Sequence, residues 1–262
     1  MWDRVKGFRA DACPPLEKLA LLYRRQCTVP PSSEVYVCRR PTGELVACKW
    51  LREAGSDHEL EMLQTVDGAA GCCVPEQVFR PGGDEDGVVL VFPRLTANRP
   101  ETSGERAAYT DGLLAALDAC HGRGVIHGDV KPANVLYDRA SGDVWLIDFG
   151  SARRADVEED ADFVGTRGYS PPEGGRSVSG DTYAAGVILA GLLAPTIVNV
   201  DRWPYLDVVK AVEDLGAEDV ADGADRDVLL PVARGLLGVS GPRWTVDEAR
   251  AQLAGAVTRD DL

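Results

Sequence analysis

One stretch constrains this chain more than any other: His127-Gly128-Asp129-Val130-Lys131-Pro132-Ala133-Asn134, followed after two short apolar runs by Asp148-Phe149-Gly150. The runs are Val135-Leu136-Tyr137 and Val144-Trp145-Leu146-Ile147, and Ala140-Ser141-Gly142-Asp143 between them is turn chemistry. Two strands joined by a tight turn make a hairpin, which brings Asn134 and Asp148 to the same end. An amide oxygen and a carboxylate there are hard ligands of the kind Mg²⁺ takes when it also holds phosphate. Asp129, just upstream, is placed to accept a proton from an attacking hydroxyl.

Composition narrows the context. A chain of 262 residues can bury a sizeable core and leaves little room for a second domain, so residues 1–262 are expected to form one domain. Hydrophobic residues at 45% and charged residues at 27% place it among ordinary soluble globular proteins. The net charge of −14 argues against nucleic-acid or anionic-membrane binding and favours basic protein partners. Seven cysteines, an odd number without a C-x-x-C pair, suit buried thiols in a reducing compartment. An intracellular protein, cytoplasmic or nuclear, is therefore expected. The charged N-terminus lacks the apolar segment of a signal peptide. The longest apolar run, 183–193, contains Gly186 and Gly191, is followed by Pro195, and is too short to span a bilayer; it reads as a buried helix.

Ahead of the hairpin, residues 19–29 and 35–38 read as strands around the turn Pro30-Pro31-Ser32-Ser33-Glu34, and 45–50 as a third. A helix is expected from Ser56, with Glu59 on the same face as Met62, Leu63 and Val66, and Glu61 facing solvent beside Thr65. Residues 74–79 and 88–92 read as further strands, 96–104 as a polar linker and 105–121 as a helix. Amphipathic helices are expected near 206–215, 225–237 and 245–256.

The spacing H-x-D-x-K-x-x-N followed by D-F-G resembles the catalytic and metal-binding loops of eukaryotic-type protein kinases of the Ser/Thr branch. Two further motifs support the resemblance, which covers roughly residues 20–255: Val46-Ala47-Cys48-Lys49, and Gly165-Thr166-Arg167-Gly168-Tyr169-Ser170-Pro171-Pro172-Glu173. It implies an α+β, bilobal fold with a small antiparallel β lobe carrying one main helix (about 20–92), a hinge at 93–95 and a larger helical lobe over 96–262. It also implies ATP with Mg²⁺, transferred to protein hydroxyls. Asp129 then orients and deprotonates the acceptor, Lys131 steadies the phosphoryl group, and Thr166 narrows the site. Asn134 and Asp148 hold the metal, while Lys49, paired with Glu59, holds phosphates. Val35, Ala47 and Leu136 flank the adenine, Phe92 backs it, and Pro93 and Leu95 offer a carbonyl and an N–H. Asp181 matches the residue that ties the catalytic loop to the buried helix, and Arg243 the one that pairs with Glu173.

Three departures bear on activity. The glycines of the usual nucleotide loop are replaced by Thr28, Pro30 and Ser33, and Pro30 and Pro31 have no N–H to offer a phosphate. That favours a second reading, a pseudokinase that binds partners without turnover. Gly128 stands where regulated kinases carry an arginine, and residues 152–165 hold no Ser, Thr or Tyr but do hold the acids Glu158, Glu159, Asp160 and Asp162. Phosphorylation there is not expected to be required, which leaves a docked protein partner as a candidate activator. Finally, His127-Gly128-Asp129 is the spelling of small-molecule phosphotransferases, a third reading that the Lys131-Pro132 pair and the 166–173 segment oppose.

Overall fold

A computed structural model describes residues 20–25, 33–40, 42–51, 56–79, 87–157, 165–174, 176–202, 206–220 and 222–257. The loop positions Thr28, Pro30 and Pro31 and the acids at 158–162 lie outside the described residues. Two compact units emerge: the first runs through Asp67 and resumes over Cys73–Leu95, and the second holds Gly68–Cys72 and continues from Thr96.

The first unit is built on an antiparallel sheet of β1 (Ala20–Arg25), β2 (Ser33–Arg39), β3 (Leu45–Leu51), β4 (Gln77–Phe79) and β5 (Val88–Pro93), in the order β1-β2-β3-β5-β4. Alternation sends Cys38, Val46, Cys48, Val89 and Val91 to one face, where they form a buried cluster under Tyr36 and Trp50. Helix α1 (Ser56–Thr65), the one helix among the described residues of this unit, adds Leu60, Met62 and Leu63, each about as buried as a side chain can be. Two expectations need correction. Ser33 and Glu34 belong to β2, opposite Leu51 and Trp50, not to a turn, because pairing with β3 continues to its last residue. The strand expected from residue 74 begins only at Gln77, where pairing with β5 starts.

The second unit is mainly helical: α2 (Ser103–Gly122), α3 (Val178–Leu193), α4 (Val208–Glu213), α5 (Leu230–Leu237) and α6 (Val246–Val257). A π-helical turn over Asp225–Leu229 leads into α5. Short strands complete it: β6 (Val125–Ile126) pairs with β9 (Arg153–Arg154), and β7 (Val135–Tyr137) with β8 (Val144–Leu146). Helix α2 starts two residues earlier than the sequence suggests. Thr102 caps it by accepting from Glu105 N at 3.1 Å, while Glu105 Oε2 accepts from Thr102 N at 3.2 Å. Helix α3 is buried at every position from 180 to 190, which its apolar-all-round sequence requires. Among the described residues no helix is long and apolar enough to cross a membrane, and the five described cysteines are buried free thiols.

Helix α5 stops at Gly238, whose φ of 72° turns the chain back. Trp244 then lies across Gly235 and donates its backbone N–H to Gly235 O at 2.9 Å. A Cβ at residue 235 would fall inside the contact distance of the indole ring. Gly235→Ala should therefore destabilise the second unit by about 1–3 kcal/mol through overpacking. Thermal denaturation of this variant beside Gly235→Ala/Trp244→Ala checks the cause, because trimming the ring should recover part of the loss.

Candidate active site

In the first unit, cross-strand register gathers the relevant residues. Val35 lies opposite Lys49, and Ala47 lies opposite Val37 on one side and Phe92 on the other. Directly opposed residues share a face of a sheet, so Val35, Ala47, Lys49 and Phe92 point the same way, away from the cysteine–valine cluster. Pro93 ends β5 opposite Val46, and Leu95 follows half-buried. Lys49 is only 7% exposed and Glu59 only 5%. Lys49 Nζ donates to Glu59 Oε1 at 2.7 Å and Oε2 at 2.9 Å, whereas Glu61 is exposed. Helical spacing thus separates the two glutamates as the sequence suggests. Leu136 belongs to the second unit, on β7 opposite Trp145.

In the second unit the hairpin ladder sets where Asn134 and Asp148 emerge. Val135 pairs with Leu146, and Ile147 N donates to Asn134 O at 2.9 Å, so Asn134 and Asp148 leave the hairpin together. Asp129 is the centre of a compact network. Its Oδ1 accepts from Thr166 Oγ1 at 2.6 Å, and its Oδ2 from Lys131 Nζ at 2.7 Å and Asn134 Nδ2 at 3.2 Å. Lys131 Nζ also reaches Thr166 Oγ1 at 2.9 Å. A carboxylate has about four lone-pair sites. Three are occupied here, which leaves room for one more donor.

Behind that network stands Asp181, 2% exposed and set in the first turn of α3. It accepts from His127 N at 2.8 Å and Gly128 N at 2.9 Å. His121 Nε2 lies 2.9 Å from Asp181 Oδ2 as well. His127 makes two ring bonds that fix its tautomer: Nε2 faces Ile147 O at 3.0 Å, and Nδ1 faces Asp129 N at 3.3 Å. A carbonyl only accepts and an amide N–H only donates, so the ring proton sits on Nε2. His127 also meets Phe149 edge-on, centroids 5.1 Å apart.

Sequence reasoning missed His121 and Arg176. His121 lies six residues before His127, at the end of α2, and only the fold shows what it touches. Arg176 crosses Gly128 and donates through Nη1 to Ser151 O at 2.7 Å. Gly128 has φ 75°, and a Cβ there would press on both Arg176 Cδ and Ser151 O. An arginine at position 128 is thus excluded by backbone and space alike.

Asn134 and Asp148 are oxygen donors suited to a hard divalent cation. Asn134 spends its amide nitrogen on Asp129 O at 2.9 Å, while its oxygen carries no hydrogen bond among the described residues. Asp148 has φ 65°, the one non-glycine residue among those described with positive φ. Strain of this kind persists where the surroundings enforce it, often at functional positions. No cluster of three or more histidine, cysteine or acidic side chains is placed to hold a metal among the described residues. Beyond Thr166, Glu173 Oε1 accepts from Arg243 Nη1 at 2.5 Å, and this bond holds the Glu173 carboxyl below the usual carboxylate range.

The Lys49–Glu59 pair makes a stability test. Removing one partner strands a buried charge, which costs about 3–5 kcal/mol, whereas replacing both with apolar side chains is close to neutral. Thermal denaturation should show Lys49→Met and Glu59→Leu each well below the parent, and the double variant close to it. Additive losses in the double variant would show that the two do not act as a pair.

Comparison with known proteins agrees with this geometry. The family model of the protein kinase domain matches residues 81–202. The zebrafish (Danio rerio) serine/threonine-protein kinase pim-2 is 31% identical over 131 residues, 44% of this chain and 42% of that protein. Streptomyces coelicolor PkaA, also a serine/threonine-protein kinase, is 41% identical over 108 residues, 38% of this chain and 20% of its own. Saccharomyces cerevisiae PSK2 is 30% identical over 173 residues, 64% of this chain and 15% of its own. The matches thus span less than half the length of each of these relatives. With a small antiparallel sheet in one unit, a helical second unit and the matched segment running through the Asp129 network, the chain is similar over residues 81–202 to the protein kinase domain.

Proposed function

We propose that the chain is an active serine/threonine kinase, one catalytic domain over residues 1–262 that transfers the γ-phosphoryl group of ATP to protein hydroxyls. The observation that carries this reading is the Asp129 carboxylate, held by Thr166, Lys131 and Asn134 with one acceptor site remaining. An incoming hydroxyl fits that site as a donor, and Asp129 takes its proton as the oxygen attacks. Lys131, already bonded to Asp129, lends its charge to the phosphoryl group in transfer. Asn134 and Asp148 supply oxygen ligands for a divalent cation, Mg²⁺ in this reading, whose charge offsets that of the phosphates. In the first unit, Lys49 oriented by Glu59 is assigned to phosphate oxygens. Val35, Ala47 and Phe92 are assigned to the adenine face, with the Pro93 carbonyl and Leu95 N–H as its hydrogen-bonding edge. Basic protein substrates suit the net charge of −14. The pseudokinase reading draws on Pro30 and Pro31, which cannot donate to phosphate.

Radiolabelled ATP offered with a peptide library separates these readings. Wild-type protein should label Ser and Thr peptides and leave matched Tyr peptides unlabelled, because the Lys131–Thr166 bridge narrows the approach to Asp129. Asp129→Asn should lower turnover by about 10²–10⁴-fold while thermal-shift binding of Mg-ATP persists. Near wild-type turnover in that variant would overturn the assignment of the base, and binding without transfer by the wild type would favour the pseudokinase.

A second expectation concerns regulation. Gly128 cannot host a phosphate-pairing arginine, and Arg176 fills the space over it. Phosphatase treatment, with mass spectrometry confirming residues 151–170 unmodified, should leave activity unchanged. Loss of most activity, recovered on rephosphorylation within that span, would contradict it.

A further inference from the structure

Cys72 and Cys120 both belong to the second unit, where they are 5% and 0% exposed. The chain at residues 71–72 crosses α2 at close range: a Cβ on Gly71 would fall 2.6 Å from the Cβ of Ala116. The Cys72 thiol donates to Ala116 O at 3.8 Å. In an α-helix that carbonyl also accepts the N–H of residue 120, so Cys72 Sγ reaches the turn that carries Cys120. Each sulfur is within hydrogen-bonding reach of the other. On its far side Cys120 Sγ donates to Val125 O at 3.3 Å.

The two sulfurs have unequal chemistry. A hydrogen bond from Cys120 holds the Cys72 thiol below its ordinary range, against burial and with help from the charge of Arg123. The same bond and burial push the Cys120 thiol up. The thiolate is the nucleophile in thiol oxidation, so Cys72 attacks first and Cys120 resolves. Cys38 and Cys48 also touch, but register sets Cys38 opposite Val46 and Cys48 opposite Tyr36. Such diagonal neighbours stand roughly 7 Å apart, beyond the about 3.5–4.5 Å that separates the Cβ atoms of a disulfide. No sheet register holds Cys72 and Cys120 apart in this way.

We propose that Cys72 and Cys120 form a reversible disulfide under hydrogen peroxide, and that its closure loosens the loop carrying Asp129. The Cys72 thiolate attacks one peroxide oxygen; the O–O bond breaks, hydroxide leaves and is protonated to water, and Cys72 becomes a sulfenic acid. The Cys120 sulfur then attacks that of Cys72. The S–S bond forms, the S–O bond breaks, and the departing hydroxide takes the Cys120 proton as a second water. The thiols lose two electrons, and one peroxide is reduced to two waters. Residue 72 is anchored on β8, because it bridges to Leu146 and Leu146 N donates to Gly71 O at 2.7 Å. The last turn of α2 therefore yields, as helix ends do. Cys120 abandons Val125 O, and the next residue, His121, carries the ring that lies 2.9 Å from Asp181 Oδ2. Displacing that ring slackens the hold of Asp181 on His127 N and Gly128 N. In a reducing compartment such a bond is transient, which suits a sensor rather than a staple.

The test treats the full chain with hydrogen peroxide, blocks remaining thiols with N-ethylmaleimide and digests with trypsin without reductant. Mass spectrometry should find peptide 53–94 joined to peptide 107–123, with fragmentation placing the bridge at Cys72 and Cys120 and dithiothreitol separating the two. Cys72→Ala and Cys120→Ser should each abolish this product, and Cys73→Ser should retain it; Cys72→Ala keeps the test intact where Cys120→Ser fails to fold. Amide hydrogen exchange at His127 and Gly128 should accelerate by about tenfold in the oxidised wild type and stay unchanged in peroxide-treated Cys72→Ala. The effect on turnover rests on the kinase reading: a fall of about ten- to a hundredfold, restored by dithiothreitol and absent in Cys72→Ala. Absence of the linked peptides, a Cys72–Cys73 bridge in their place, or a bridge that leaves exchange at 127 and 128 unchanged would overturn the proposal. Peroxide inhibition that is equal in Cys72→Ala removes this inference alone. A bridge with faster exchange in a protein that has no turnover when reduced removes the active-kinase reading alone.

Discussion

The geometry around Asp129 depends on one buried carboxylate. Asp181 receives two consecutive backbone N–H groups, from His127 and Gly128, and also contacts His121. Two adjacent amides can point at one carboxylate only if the chain turns sharply there, and Gly128 with φ 75° is that turn. Because Asp181 sits in a helix buried along most of its length, the loop inherits the rigidity of the core. A catalytic constellation held by a packed helix is more exact than one held by loop contacts alone.

Arginine binds the rest of the second unit through carbonyls more than through carboxylates. Arg153 donates to the carbonyls of Arg176, Arg154 and Val157. Arg176 donates to Ser151 O, and Arg234 to Leu215 O. Such bonds cap segments whose carbonyls find no helix or sheet partner, and a planar fork can serve two at once. Partial burial, and after it the proximity of Arg153, holds the Arg176 pKa down. That cost is offset by ordering the chain just beyond Phe149-Gly150.

Much of this was legible in the sequence because it is local. Period-two alternation and a turn place Asn134 and Asp148 together, and helical spacing turns Glu59 inward while leaving Glu61 in solvent. Individual strands and helices followed from the same periodicities, while their division into a small sheet and a helical remainder was what the kinase resemblance implied. What escaped is non-local or depends on end effects. His121 acquires its partner 60 residues away, and Arg176 acquires Gly128 and Ser151 only through the fold. The start of α2 was missed because Thr102 and Glu105 sit in a stretch that reads as polar linker until their reciprocal cap is recognised. The nearness of Cys72 to Cys120 gave no signal, since only the fold lays residue 72 against α2.

Thr166 shows how these parts become one network. Its hydroxyl donates to Asp129 and accepts from Lys131, a double duty that a hydroxyl can perform and an apolar isostere cannot. The segment from Gly165 is thereby tied at its start to the loop that carries Asp129 and Lys131. Its other end is tied through Glu173 to Arg243, which also donates to Ser179 Oγ at 2.8 Å and lies 4.9 Å from the centroid of the Tyr183 ring. Tyr169, between the two ties, is pinned by Asp201. A segment fixed at both ends and in the middle has little conformational freedom left to lose. The geometry that a phosphate–arginine contact would otherwise have to impose is already supplied by side chains. That is the physical basis for expecting the Asp129 network to be assembled in the unmodified chain.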